Sequence, residues 1–454
     1  MLRKTAFLIT YGCLVAGWLF SVSRSQPWTP REEAIIESAE RGELILFEKV
    51  EKEDLPSTRP LPYWSILVFR KLFGDSLIVS RLPGLFLGIV ALVFLLSTVS
   101  RIDGALPAWV SVMVMATCPF FFFSAAMATA DIYGIAFSLL AFCFFYYAMF
   151  RPAPLYVLPA CCCIALNVLS TGITAWLTPV VALTAWGLMT WLGNRGRMEE
   201  WTQLKHLIVT HRKMLLCSVS AALGLILAFY LPVYLNTGSQ LLEALTTFDT
   251  HNHHGGKSEY YVRAFMLGLF PWIILLPLAF FAIFRMNGRG AVDSRMLFAF
   301  VWGVAGWSVT SFMIKKYYFF SLPAMPALAL AVALVLSRAV SSDRPPWPAI
   351  APWFAAACGC LFLRDMILYS PRLMFEIFLG DESAPEMKGM IPVMVLAGLV
   401  FMGVVFAAGR ARLRVQGHVV LCLVAAILCF ALSMSFSALP LEEMEALLHR
   451  LTAA

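Results

Sequence analysis

Between Leu77 and Phe436 the sequence returns repeatedly to apolar stretches long enough to cross a bilayer. A hydrocarbon core about 30 Å thick takes about 20 residues of α-helix, and inside it no water satisfies a bare backbone. Stretches such as LIVSRLPGLFLGIVALVFLL and IYGIAFSLLAFCFFYYAMF must therefore become buried helices. They do not alternate apolar with polar residues, which excludes a β-barrel. Composition agrees: 60% of the residues are hydrophobic and 13% charged, where a soluble domain carries about 25% charged residues. The mean hydropathy is +0.80. Gly and Pro inside the runs are ordinary in membrane helices.

Spans fall at about 5–22, 80–100, 104–123, 129–150, 153–171, 174–193, 214–235, 262–284, 295–313, 317–337, 347–364, 389–408 and 416–436. The expected fold is thus an all-α polytopic bundle of about 13 transmembrane helices. MLRK and the apolar run to Phe20 look like a signal peptide, but no small-x-small cleavage site precedes Trp28. A retained first span is expected. One transmembrane domain, 1–437, carries a first outer loop at 23–79 and a His-containing loop at 236–261. A short tail, 438–454, has helical apolar spacing suited to the interface.

Alternating the spans sorts the loops into two sets. One is rich in Arg and Lys, from Arg3-Lys4 through Arg101, Arg151, Arg195–Lys213 and Arg285–Arg295 to Arg338 and Arg410–Arg414. The positive-inside rule makes this set cytoplasmic, with the N-terminus inside. The net charge of +7 is mostly this orientation signal, so no nucleic-acid partner is implied. All 11 cysteines lie in or at the ends of apolar runs, so no exported disulfide is expected.

The outward loops hold the chemistry. Trp28–Phe73 concentrates Glu32, Glu33, Glu37, Glu40 and Asp54 beside Arg59, Tyr63 and Trp64. Thr29-Pro30-Arg31-Glu32 is a helix start, with Glu32 able to complete a capping box. The same carboxylate, or Glu33, suits a general base for an acceptor hydroxyl. Asp131, in MATADIYG, heads the fourth span. It is either a helix N-cap, as Thr129 could also be, or a functional acid. Arg59 beside aromatics suits a lipid-linked phosphate or an ordinary interfacial anchor. Tyr63 shares its amphipathic segment, 62–73. Lys315-Lys316-Tyr317 puts two cations on the outward side, fit for a phosphate or for snorkelling. His253 and His254, in FDTHNHHGGK, are candidate divalent-metal ligands, although their spacing matches no standard zinc signature. There is no P-loop and no dinucleotide fingerprint, so the energy of a reaction must come from an activated substrate.

Several segments in order resemble one family. PREEAIIESAERGEL, TRPLPYWSILVFRKLFG, SRLPGLFLGIVALVFLL, FFFSAAMATADIYGIAFSLLAF, HHGGKSEYYVRAFMLGLFPW and KKYYFFSLPAMPALALAVA are similar to bacterial lipid-carrier-dependent glycosyltransferases of the GT-C superfamily. These include the aminoarabinose transferase that modifies lipid A and protein O-mannosyltransferases. The resemblance implies inverting transfer from a polyprenyl-phosphate sugar to a lipid, protein or glycan, at the outer face of the inner membrane. It puts Glu32 at the base position, where the family has Asp. It puts Asp131 at the acid heading the fourth span and Arg59-Pro60 at a Lys-Pro. His253 or His254, and Lys315 or Lys316, take the remaining polar positions. The family's Lys-Gly after the fifth span reads Thr171-Gly172 here. Two rivals stay open: a non-catalytic relative acting as a scaffold, favoured by these departures, and a transporter or flippase. A transporter would place its ionisable residues near mid-membrane; here they gather at one face.

Overall fold

The computed structural model describes Trp18, Val22, residues 32–33, 35–37, 60–151, 153–192, 204–205, 208–237, 268–285, 294–312, 323–341, 347–348 and 350–374. Among these residues there is no strand. The helices are α1 (Pro60–Phe73), α2 (Leu77–Ile102), α3 (Ala105–Thr117), α4 (Pro119–Ala126), α5 (Asp131–Phe150) and α6 (Val157–Thr171). They continue with α7 (Leu177–Leu192), α8 (Arg212–Thr237), α9 (Leu276–Arg285), α10 (Ser294–Phe312), α11 (Met325–Ser341) and α12 (Ala351–Met374). Glu32, Glu33 and residues 35–37 are also helical. The expected spans between 80 and 364 each meet a helix of this series. Those at 5–22, 389–408 and 416–436 fall wholly or mostly outside the described residues, as does the tail.

Among the described residues, four helices, α2, α5, the stretch Pro154–Thr171 and α8, are long and apolar enough to cross a membrane by themselves. The span expected at 104–123 is instead two helices, α3 and α4, bent by 66°. The cause is local. Pro119 disfavours α conformation at the residue before it, and Cys118 sits at φ −65°, ψ 126°. Pro119 then starts α4, where its missing N–H costs nothing. The indole of Trp272 donates to Thr117 Oγ1 at 2.7 Å and ties the bend to a distant segment.

α5 is the most enclosed of the four. It packs on α2 and α6, and its C-terminal end is wrapped in rings from Phe142, Tyr146, Phe150, Phe298 and Trp302. Its other end is held by small residues and short polar links. Asn167 Nδ2 donates to Ser138 Oγ at 2.8 Å, and Thr171 Oγ1 donates to Asn167 Oδ1 at 3.0 Å. A side chain on Gly134 would overlap the γ-methyl of Thr171, so the Thr171 side chain packs directly on the α5 backbone. Such small-residue contacts are how helices associate in lipid. Gly172 ends α6 at φ 101°, a conformation that favours glycine.

Opposite the head of α5, the α2–α3 corner is closed by charge. Tyr146 donates to Asp103 Oδ2 at 2.8 Å, and Arg295 reaches Asp103 Oδ1 at 3.1 Å and the Ile102 carbonyl at 3.0 Å. Arg151 donates to the Arg101 carbonyl.

Gly134→Val should force α5 and α6 apart and cost roughly 1–3 kcal/mol. Gly224→Ala, where a side chain meets open space, should leave the melting temperature of the solubilised protein unchanged. Equal melting temperatures for the two variants would contradict the close approach.

Candidate functional site at the head of α5

α1 is amphipathic as expected for 62–73. Tyr63, Ile66, Leu67 and Arg70 are buried on one face, while Val68, Lys71, Leu72 and Phe73 are exposed on the other. Gly74, at φ 98°, turns the chain, and its N–H donates to the Arg70 carbonyl at 2.9 Å. Ser76 then caps α2, accepting from the Val79 N–H at 3.3 Å. Arg70 fastens this corner through Ser80 Oγ and Asp75, both at 3.1 Å.

One residue beyond Ser80 lies the strongest contact. Arg81 and Glu32 are both 0% exposed. Arg81 Nε donates to Glu32 Oε1 at 2.7 Å and Nη2 to Oε2 at 3.1 Å. This is the two-point fork that guanidinium and carboxylate favour. Arg81 Nη1 also donates to the Val22 carbonyl at 3.0 Å, and the Ala128 amide donates to Glu32 Oε1 at 2.9 Å. One carboxylate thus joins the first loop, α2, the segment at Val22 and the turn leading into α5.

That turn is residues 127–130. Asp131 is the first residue of α5; Ala130 takes the N-cap position with no side-chain cap. Neither Asp131 nor Thr129 is therefore the cap that the sequence left open. Asp131 is partly exposed. The apolar floor beneath it is Ile36, Tyr63, Ile66, Leu67 and Ala128, with Ile35, Trp64 and Leu77 against it. Tyr133, in the first turn of α5, shares a partly buried hydrogen bond with Ser65 of α1. Trp64 meets Phe229 of α8 edge-on, with centroids 5.3 Å apart.

Of the residues expected to form a site, the structure brings Glu32, Tyr63 and the approach to Asp131 to one end of the bundle. Tyr63 is 3% exposed and packs in the floor. Glu33 is exposed. Arg59, Lys315, Lys316, Tyr317, His253 and His254 lie outside the described residues. Among the described residues no group of three or more His, Cys, Asp or Glu could hold a metal ion. Sequence reasoning missed Arg81 as a member of the site. Its signal was a cation buried in an apolar run, which inside a membrane needs a partner.

The described residues define an all-helical bundle with helices long and apolar enough to cross a membrane. Residues 56–218 match the profile of the family described as dolichyl-phosphate-mannose-protein mannosyltransferase. No curated protein sequence is a significant match. ArnT from Cupriavidus metallidurans bound to undecaprenyl phosphate has a similar structure. The TM-score is 0.69 at 16% identity, over 95% of this chain and 76% of that one. Its apo form gives 0.69 over 96% and 77%, also at 16% identity. Arabinosyltransferase EmbB from Mycobacterium smegmatis gives 0.59 at 13% identity, over 95% of this chain and 41% of that one.

Removing one partner from the buried pair leaves an uncompensated charge. Arg81→Met should cost roughly 3–5 kcal/mol and lower the melting temperature of the full chain. Adding Glu32→Gln should recover part of that loss. A double variant no more stable than Arg81→Met would show that the two side chains are not coupled.

Proposed function

We propose that the chain moves a sugar from a polyprenyl-phosphate donor to a hydroxyl of a lipid, protein or glycan acceptor, at the outer face of the inner membrane. The observation that carries this reading is the seating of the Glu32 helix on the turn that heads α5. It gathers carboxylates from two distant segments at one end of an apolar bundle. The family match over residues 56–218 and the undecaprenyl phosphate in the ArnT structure supply the donor class.

The reaction is a single displacement. A carboxylate takes the acceptor hydroxyl proton as the oxygen attacks the anomeric carbon. The bond to the phosphate oxygen breaks with its electron pair, so the carrier leaves as a phosphate and the anomeric centre inverts. Cations must meet the charge that grows on that phosphate. From the sequence, Arg59 and one lysine of the 315–316 pair take this part.

The fork with Arg81 suits Glu32 to holding the site together. Glu33, exposed on the same short helix, is then the better proton acceptor, and Asp131 positions the acceptor or a cation. A second reading has one specific observation in its favour. Both oxygens of Glu32, the residue at the family's base position, are occupied by Arg81, as in a relative that keeps the fold as a scaffold.

Purified full-length protein in vesicles, given undecaprenyl-phosphate-linked pentoses or hexoses with lipid or peptide acceptors, decides between them. Transfer is expected. Glu33→Gln and Asp131→Asn should each lower turnover by about 10²–10⁴-fold without a matching loss of stability. Lack of transfer with every donor would leave the scaffold reading standing. Full activity in Glu33→Gln would remove Glu33 as the base.

A further inference from the structure

Two buried polar atoms beside this site have no hydrogen-bond partner: Thr129 Oγ1 and Trp64 Nε1. Thr129 is 6% exposed. It lies between Ala128, whose amide holds Glu32, and Asp131. Trp64 packs against the cluster that contains Ala128. A buried group without a partner costs free energy that water would have supplied, so such groups are rare and ask for an explanation. Trp18 and Trp186 carry the same kind of orphaned N–H. Those two sit in the main apolar core, Trp18 against Phe121 and Phe122 and Trp186 against Phe150 and Phe298. Among the orphaned atoms of the described residues, those of Thr129 and Trp64 are the ones that adjoin the carboxylate site.

The head of α5 adds a third element. This helix is 20 residues long, and its N-cap residue, Ala130, supplies no side-chain cap. The first amides of any helix point out of its end without intrahelical partners, and the helix dipole puts positive potential there. Asp131 in the first turn makes the same place unfavourable for an anion. A hydroxyl is the better match: it accepts from an indole N–H or a backbone amide and donates to a carboxylate.

We propose that Thr129, in the turn that leads into α5, and Trp64 of α1, packed on the cluster that contains Ala128 of that turn, form a subsite for the hydroxyl groups of a sugar. It rests on the transferase reading and deepens it by naming where a sugar is recognised. Both groups are shielded from bulk water, where a hydrogen bond carries most weight and a missing ligand hydroxyl is most strongly penalised. The subsite therefore selects among sugars. The sugar can arrive on the donor or as part of a glycan acceptor, and the probes separate these.

The test is binding to the full chain in lipid nanodiscs. The probes are undecaprenyl phosphate, the same lipid carrying a pentose or a hexose, and a lipid-free oligosaccharide. At least one sugar-bearing probe should bind, and a lipid-linked one should bind more tightly than the bare lipid. Thr129→Val and Trp64→Phe should each weaken sugar-dependent binding about five- to tenfold, the size of one lost hydrogen bond. Binding of the bare lipid should not change, and Thr129→Ser should retain the parent affinity.

Stability separates this from a structural role. Replacing an orphaned hydroxyl by a methyl should leave the melting temperature of the ligand-free protein unchanged or higher. A lower melting temperature together with unchanged sugar binding would overturn the proposal. So would sugar-dependent binding that survives both substitutions, or no preference for any sugar-bearing probe. If undecaprenyl phosphate fails to bind while the oligosaccharide binds through Thr129, the polyprenyl-donor reading fails and the subsite stands.

Discussion

The paired charges of Glu32 and Arg81 anchor the site. Their segments lie 49 residues apart in the chain and meet where neither touches water. Inside a low-dielectric bundle each charge alone would be very costly, so neither is tolerable except against the other. The geometry is also directional. The fork fixes the guanidinium plane, and the leftover lone pair on Oε1 takes the Ala128 amide at 2.9 Å. A buried pair is poor evidence of net stability. It is better evidence of specificity, because a shifted register of the first loop would strand both charges.

Around this anchor, each neighbouring element is ended by a residue suited to ending it. Gly74 turns the chain after α1, Ser76 starts α2, and Pro119 splits the third crossing. The turn at 127–130 then presents its amide to Glu32. That amide is available because α4 ends at Ala126 and Met127 is extended.

The crossings were readable because length and hydrophobicity follow from bilayer thickness alone. Where α2, α5, α6, α7, α8 and α10 start and stop departs from expectation by only a few residues. The bend at Pro119 was also written in ATCPFFFF and was passed over because hydropathy stays high across it. The amphipathic face of α1 could be read from the spacing of Tyr63, Ile66, Leu67 and Arg70. Partnership could not. Glu32 read first as a capping residue, from its neighbours in sequence, and as a base chiefly through the family resemblance. Its actual partner, Arg81, is set by three-dimensional packing. Asp131 illustrates the same limit: its place at the head of a span was plain, whereas the absence of a capping bond depends on the αR conformation of Ala130.

The two ends of α5 differ in where their unpartnered groups lie: the Trp186 N–H at the Asp103 end is enclosed by aromatic rings, away from any carboxylate site. At the Asp103 end, one carboxylate takes Tyr146 and Arg295, and Arg295 and Arg151 also satisfy carbonyls at the ends of the α2 crossing. That end resembles a fastening. At the Asp131 end, Glu32 is saturated, while Thr129 and Trp64 beside it have polar atoms with nothing to bond. A bundle optimised only for stability would replace such groups with apolar ones of similar shape, a change that costs little or helps. Keeping them next to carboxylates, beside a turn held by Glu32, is what the proposed subsite requires, with local stability given up for recognition.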